Sequence, residues 1–355
     1  MADKKIIIDF GSGWTKCGFE GEVTPSVECL TIVGHPNKEG DNKLFYGKEA
    51  VARFSTSKLV YPIKSGIVCN WEDMEKFIEN TFYYKLRVEP QYHSVFLTET
   101  TMNTNENRNK MAEIMFETYD IPSIKIANQQ KLSFDHLSPS NKTGTIVDMG
   151  DDSINIVPFV DGTIIKDSVV TVDFGGRNLT GYLAALLFQN GYSFSTVADH
   201  QIVRQIKEKH SFIEMDYDKP VNTKKQSFSY PGLSDIQIDA RYLYGCPEPL
   251  FRPSLIGFDS TDSLCNSTYS SIMKCDEKHH QSLFSNIILS GGSSMFNGIK
   301  ERLESEISKL NTSNNKINII CSKDRKHSNW FGASKSITTT DNWVSKEQFT
   351  EKGIL

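Results

Sequence analysis

Apolar residues follow two rhythms along this chain. Some runs are short, unbroken and rich in β-branched residues, as in strands buried on both faces; others recur every three or four positions, as on one face of a helix. The opening segment is of the first kind: Ile6, Ile7 and Ile8 run together, reach Asp9 and Phe10, and turn at Gly11-Ser12-Gly13. Trp14 to Phe19 then reads as a returning strand, so the unit is a hairpin. That excludes two familiar phosphate loops, because G-x-x-x-x-G-K-[ST] and G-x-G-x-x-G must each open a helix.

The helical rhythm starts next. NWEDMEKFIENTFYYKL (70–86) puts Met74, Phe77, Ile78 and Phe82 near helical spacing behind an N-cap at Asn70. A strand is expected at 94–99, then a helix from Asn105 that Pro122 stops, then a strand over 124–130 that ends in Gln129 and Gln130. At 144–159, GTIVDMGDDSINIVPF repeats the opening element: a β-branched run, Asp148, a turn containing Gly150, and a second strand. VVTVDFGG meets a helix at Gly175-Gly176; that helix carries Leu179, Tyr182, Leu183, Leu186 and Leu187 on one face and stops at Gly191. NIILSGGSSMFNGIKERLESEI sets Ser290, Gly291 and Gly292 at the tip of a buried strand before another helix. Residues 216–245 are weakly periodic and predict a peripheral insertion. The β-α-β order implies a mostly parallel sheet with ligands at the carboxyl ends of its strands.

Two hairpins, each opening a long α/β stretch, predict a duplicated fold with two lobes facing a central cleft. The boundaries fall at 1–137 with 326–355 for an outer lobe, carrying a small insertion about 31–59, and 138–325 for an inner lobe, carrying a peripheral subdomain about 174–259. At 355 residues the chain is long enough for two cores. A net charge of −5 argues against a nucleic-acid binder, which would show a basic stripe. The 7 cysteines include no C-x-x-C pair and read as reduced thiols rather than a zinc site or a disulfide framework. No signal-peptide pattern and no apolar run of about 18 residues occurs, so no membrane insertion is expected and the compartment is cytosolic or nuclear.

The chemistry follows from the duplication. Glycine turns let main-chain N–H groups approach an anion, and two such turns can cradle the phosphates of one nucleotide. Strand-end acids Asp9 and Asp148 beside a triphosphate call for Mg²⁺, which keeps several waters and touches protein sparingly. One strand-Asp-turn alone would read as a hairpin tip; two copies favour the nucleotide.

These residues resemble the actin family. DFGSGWTKCGF, LVYPIKSGIVCNWEDMEKF, NRNKMAEIMFET, IVDMGDDSINIVPFVDG, GYSFSTVA, LSGGSSMFNGIKERL and DRKHSNWFGAS carry the likeness in order from about Lys5 to Lys352. The resemblance implies the actin/Hsp70/hexokinase fold, binding ATP or ADP with Mg²⁺ or Ca²⁺. It assigns Gly11, Ser12, Gly13 and Lys16 to the phosphates from the first hairpin and Gly150, Asp151 and Asp152 from the second. Asp9, Gln129 and Asp148 would order the cation's waters, Gln129 also orienting the attacking water, with Gln130 the alternative if the register slips. Gly176, Arg204, Lys207, Glu208, Gly291, Gly292, Met295, Phe296 and Lys326 would line the adenosine end. Read without the resemblance, the Lys207-Glu208-Lys209 run is a solvated helix face, and Met295 and Phe296 are core residues.

Two departures touch the reaction. Asn155 stands where the family has a histidine that assists proton transfer, and an amide cannot take a proton at neutral pH. Asp152 replaces a glycine beside the phosphates; two like charges about 4 Å apart cost on the order of 4 kcal/mol at an effective dielectric near 20, which predicts weakened ATP affinity. The stretch from Pro36 to Gly47, the 216–245 region and the C-terminus are each shorter than in ordinary actin, and Ser65 replaces a histidine. The expectation is an actin-like, ATP-binding cytoskeletal protein with weak or impaired hydrolysis, whose partners are actin, actin-binding proteins or its own copies. The alternatives are a nucleotide-locked scaffold subunit of a cytoskeletal or nuclear complex and, behind it, a small-molecule kinase of the same fold.

Overall fold

The computed structural model describes residues 4–38, 40, 42–194, 196–220, 224–230, 233–313, 315–338 and 342–352. The segments at 36–47 and 216–245, the C-terminal residues and the GYSFSTVA motif therefore lie partly outside the described residues. Two compact units divide the chain: Met1–Pro139 with His327–Leu355, and Ser140–Lys326.

In the first unit the Ile6–Phe10 strand is buried along its whole length. It pairs antiparallel with Trp14–Phe19 and parallel with Val95–Glu99, in a sheet continued by Ser123–Asn128 on one side and Val27–Leu30 on the other. The alternation of side chains explains the unbroken isoleucines. Ile6, Ile8 and Phe10 enter a core with Met74, Phe77, Ile78 and Phe82, whereas Ile7 enters another with Phe96, Leu132 and Trp330. A strand sandwiched between two helical layers has no solvent face on which to place a polar residue.

Those helices end in ways the sequence did not show. Asn70 caps the Trp71–Glu79 helix by accepting from the Asp73 N–H, but the expected continuation to residue 86 is a π-helical turn, Asn80–Leu86, closed by Arg87 at φ 57. The Asn105–Glu113 helix likewise passes into a π turn, Ile114–Thr118, and stops before Pro122, with Asp120 at φ 54. The wide turns let Phe82 and Tyr119 meet at 5.4 Å. A further correction concerns the 124–130 strand: it ends at Asn128, which caps a new helix, so Gln129 and Gln130 are that helix's first residues. An Asn whose side chain accepts the Lys131 N–H favours helix initiation over another strand residue.

The second unit repeats the sheet. Gly144–Met149 pairs antiparallel with Ile154–Val160 and parallel with Ile287–Ser290, which pairs parallel with Ile319–Ile320. The Gly176–Gln189 helix buries Leu179, Leu183 and Leu187 completely against this sheet. It ends as its sequence indicated: Gly191 takes φ 85, its N–H reaches the Phe188 carbonyl, and the Tyr192 N–H reaches Leu187. The 216–245 region is not simply peripheral. It contains a hairpin and the Ala240–Gly245 helix, and Ile238 and Leu243 are fully buried in the core; each element is too short for its apolar positions to show a period.

Phe77 is 1% exposed in the larger core of the first unit. Phe77→Ala is expected to destabilise that unit by about 3–5 kcal/mol, measured as a lowered denaturation midpoint.

Candidate functional site

The two hairpins close identically. Phe10 faces Thr15 and Met149 faces Ile154, so Gly11–Trp14 and Gly150–Ser153 form loops of the same length. In each loop the leading glycine donates to the carbonyl three residues on, Gly11 to Trp14 at 3.2 Å and Gly150 to Ser153 at 2.9 Å. A Cβ on Gly11 would sit 2.7 Å from the Trp14 carbonyl oxygen, so the loop requires glycine there.

Behind the first loop lies Asp9, 1% exposed. One carboxylate oxygen accepts from Thr98 Oγ1 at 2.5 Å and Gln129 Nε2 at 2.9 Å; the other accepts from Lys16 Nζ at 3.1 Å. A carboxylate can only accept, so the Gln129 amide must turn its NH₂ to Asp9, leaving its carbonyl oxygen to accept from a water. Gln130 is committed elsewhere, its Oε1 taking the Thr101 N–H and hydroxyl. The geometry therefore joins Gln129, not Gln130, to the acid. Ser12 accepts the Gly66 N–H at 2.9 Å, and Thr31 holds the loop by donating to the carbonyls of Gly11 and Gly13.

Behind the second loop lies Asp148, 8% exposed, bonded by Ser290 Oγ at 3.1 Å. Asn155 faces Asp148 across the strands as Lys16 faces Asp9. Its side-chain oxygen accepts from Thr171 at 2.9 Å. The tip is tied to the start of the Gly176–Gln189 helix: Gly176 N–H reaches the Gly150 carbonyl, Arg177 N–H reaches that of Asp151, and Ser293 Oγ also donates to Gly150 at 2.7 Å.

A charged knot stands beside this tip. Asp151 pairs with Arg204 at 3.3 Å and Arg177 at 3.2 Å, while a second Arg177 nitrogen meets Asp152 at 3.3 Å. Lys207 is buried and donates to the Gly176 carbonyl at 2.5 Å, whereas Glu208 stays half-exposed and pairs with Arg204. The solvated-face expectation thus fails for Lys207, because the helix turns that side chain inward. Burial pushes the Asp151 carboxyl up, yet Arg204, Lys207 and Arg177 hold it below its ordinary 3.8. Burial lowers Lys207, and Asp151 opposes that fall. Gly176 has no room for a side chain: a Cβ would lie 2.5 Å from Ser293 Oγ and 3.2 Å from Lys207 Nζ.

At the tip of the Ile287–Ser290 strand Gly291 adopts φ 85, and a Cβ there would meet the Met149 carbonyl at 2.3 Å. Gly292 faces open space, Met295 is 38% exposed, and Phe296 is a core residue as its apolar character suggested. Arg325 bonds the Ser294 carbonyl and hydroxyl, anchoring the chain just before Lys326. Thr98, Arg177, Ser293 and Arg325 were not singled out from sequence, and Ser290 was placed at a strand tip without a role. Each is adjacent to a motif that was, and a hydroxyl or guanidinium at that position is the only signal.

The actin family model matches residues 2–354, essentially the whole chain. The protein belongs to the actin family. It is accordingly an actin-like, ATP-binding protein of mixed α/β, two-lobe fold; members of the family bind ATP or ADP with a divalent cation. The residues of this actin-family protein fit such a ligand. Glycines occur where a Cβ would obstruct the main chain, and the groups around Asp9 and Asp148 offer oxygen donors. Among the described residues no cluster of three or more His, Cys, Asp or Glu is placed to hold a metal ion. Asp152 pairs with Arg177, which it shares with Asp151. No helix among the described residues is long and apolar enough to cross a membrane.

The depressed Asp151 value fixes a pH signature. The folded carboxyl ionises more readily than the unfolded one, so its stabilisation is complete above about pH 4 and is lost as pH falls towards the folded value. Asp151→Asn is expected to cost about 3 kcal/mol at pH 7, a gap that closes below about pH 4 in urea denaturation at a series of pH values.

Proposed function

We propose that this actin-family protein binds ATP or ADP with Mg²⁺ or Ca²⁺ through the Asp9 and Asp148 hairpins, hydrolyses ATP slowly, and acts in the cytoplasm by assembling into, or associating with, actin-type filaments. The observation that carries the nucleotide part is the matched build of the two hairpins: the same loop length, the same glycine bond, and a buried acid one residue before the end of each strand-to-strand ladder. Gly11, Ser12, Gly13, Lys16, Gly150, Asp151 and Asp152 would meet the phosphates. Asp9, Gln129 and Asp148 would order the cation's waters, and the cation would neutralise phosphate charge. Gly176, Arg204, Lys207, Glu208, Gly291, Gly292, Met295, Phe296 and Lys326 would serve the nucleoside end; of these Phe296 acts from the core. The assembly part rests on family membership.

Slow turnover follows from Asn155. Gln129 can orient a water through its carbonyl oxygen, but the amide at position 155 cannot remove a proton. Asn155→His is expected to raise phosphate release from ATP by about a hundredfold at unchanged nucleotide affinity; equal rates in both proteins would refute the role given to this position.

The same residue favours a second possibility, a scaffold subunit that keeps its nucleotide. Nucleotide extracted from purified protein separates the two. ADP, or a mixture that drifts to ADP, agrees with slow hydrolysis; ATP that stays intact over days favours the scaffold; protein that carries and takes up neither refutes nucleotide binding. Pelleting on addition of Mg²⁺ and salt is the outcome expected for a filament former, and protein left in the supernatant favours the scaffold.

A further inference from the structure

Two buried hydroxyls touch the two acids in the same way. Ile8 pairs with Leu97, which places Thr98 beside Asp9; Asp148 pairs with Ser290. Each hydroxyl comes from the strand parallel to the acid's own, and each bonds one oxygen of the carboxylate, at 2.5 Å from Thr98 and 3.1 Å from Ser290. Each follows an unbroken apolar triplet, Val95-Phe96-Leu97 or Ile287-Ile288-Leu289, in a strand buried nearly throughout. An aliphatic residue would continue that pattern.

Buried threonines on helices are satisfied differently. Thr81, Thr180 and Thr268 each donate to the backbone carbonyl four residues earlier on their own helices. Thr98 and Ser290 instead donate to a carboxylate on another strand, a charge-assisted bond that fixes how the carboxylate is rotated. Thr98 does one thing more. It accepts from Gln129 Nε2 at 3.1 Å, so its own proton is directed to Asp9 and the Gln129 amide is locked with its carbonyl oxygen turned away from the acid.

We propose that Thr98 and Ser290 are positioning residues for the cation's water shell: each pins one oxygen of its acid, so that the carboxylate meets the waters of a nucleotide-bound divalent cation at a fixed angle. Thr98 also sets the Gln129 carbonyl that orients the attacking water. The inference rests on the nucleotide reading above. Partners that hold a metal-directed group in place are commonly worth ten- to a hundredfold in affinity, and a water-mediated contact lies at the low end.

The test titrates Mg²⁺ into full-length protein with etheno-ATP as the fluorescent probe, for wild type, Thr98→Val, Thr98→Ser and Ser290→Ala. The expected result is a loss of Mg²⁺ affinity of about tenfold in T98V and in S290A, near-recovery in T98S, and etheno-ATP binding without Mg²⁺ unchanged within about twofold. T98V should also lower the turnover rate more than S290A, because only Thr98 holds Gln129. Mg²⁺ affinities equal to wild type in both T98V and S290A, or T98S as weak as T98V, would overturn the inference and leave nucleotide binding intact. S290A lies in the other unit and asks the same question if T98V does not fold. Wild-type protein that binds no etheno-ATP with or without Mg²⁺ would overturn the nucleotide reading itself, and this inference with it.

Discussion

A carboxylate at the end of a strand buried on both faces is the constraint on which the rest depends. Asp9 is 1% exposed, and an ionised group that far from water needs partners. The neighbouring parallel strand supplies Thr98, the helix after Asn128 supplies Gln129, and the returning strand supplies Lys16. Three elements must therefore sit in register before the acid is tolerated. The same demand recurs at Asp148, met in part by Ser290, and the two solutions share strand order and loop length.

The second hairpin adds a charge problem and its answer. Asp151 and Asp152 are adjacent acids at a loop tip, and Arg177, the second residue of the following helix, reaches both. The backbone of that helix bonds the loop as well, so the guanidinium is delivered by the same contact that fixes the turn. Asp152 thus has a guanidinium partner within its own unit. Asn155, opposite Asp148 on the returning strand, is tied by Thr171, and as an amide it offers no base.

Much of this was legible in the residues. The isoleucine run, the glycine turns and the repeated strand-Asp-turn identified the hairpins and the acids, because burial on both faces and tight turns impose compositions that few other structures require. Phe77, Ile78 and Leu183 announced their cores through helical spacing. The π turns after Glu79 and Glu113 were not legible, since one extra residue in a turn leaves the apolar pattern almost unchanged. Gln129 and Gln130 were read as strand because whether the chain continues past Asn128 as strand or starts a helix there depends on where the Asn128 side chain finds a donor. Lys207 looked solvated because a lysine between charged neighbours carries no sign of which way its helix faces.

The sequence by itself determined the duplicated hairpins, the acids at positions 9 and 148, and the glycines that keep the backbone bare, all of them local consequences of sterics and burial. Only the tertiary structure decided that Gln129 rather than Gln130 meets Asp9, that Arg177 neutralises Asp152, and that Thr98 and Ser290 hold the acids. Those pairings join residues far apart in the chain, and hydrogen bonds that depend on angles and distances of a few tenths of an ångström leave no periodic trace in the order of amino acids.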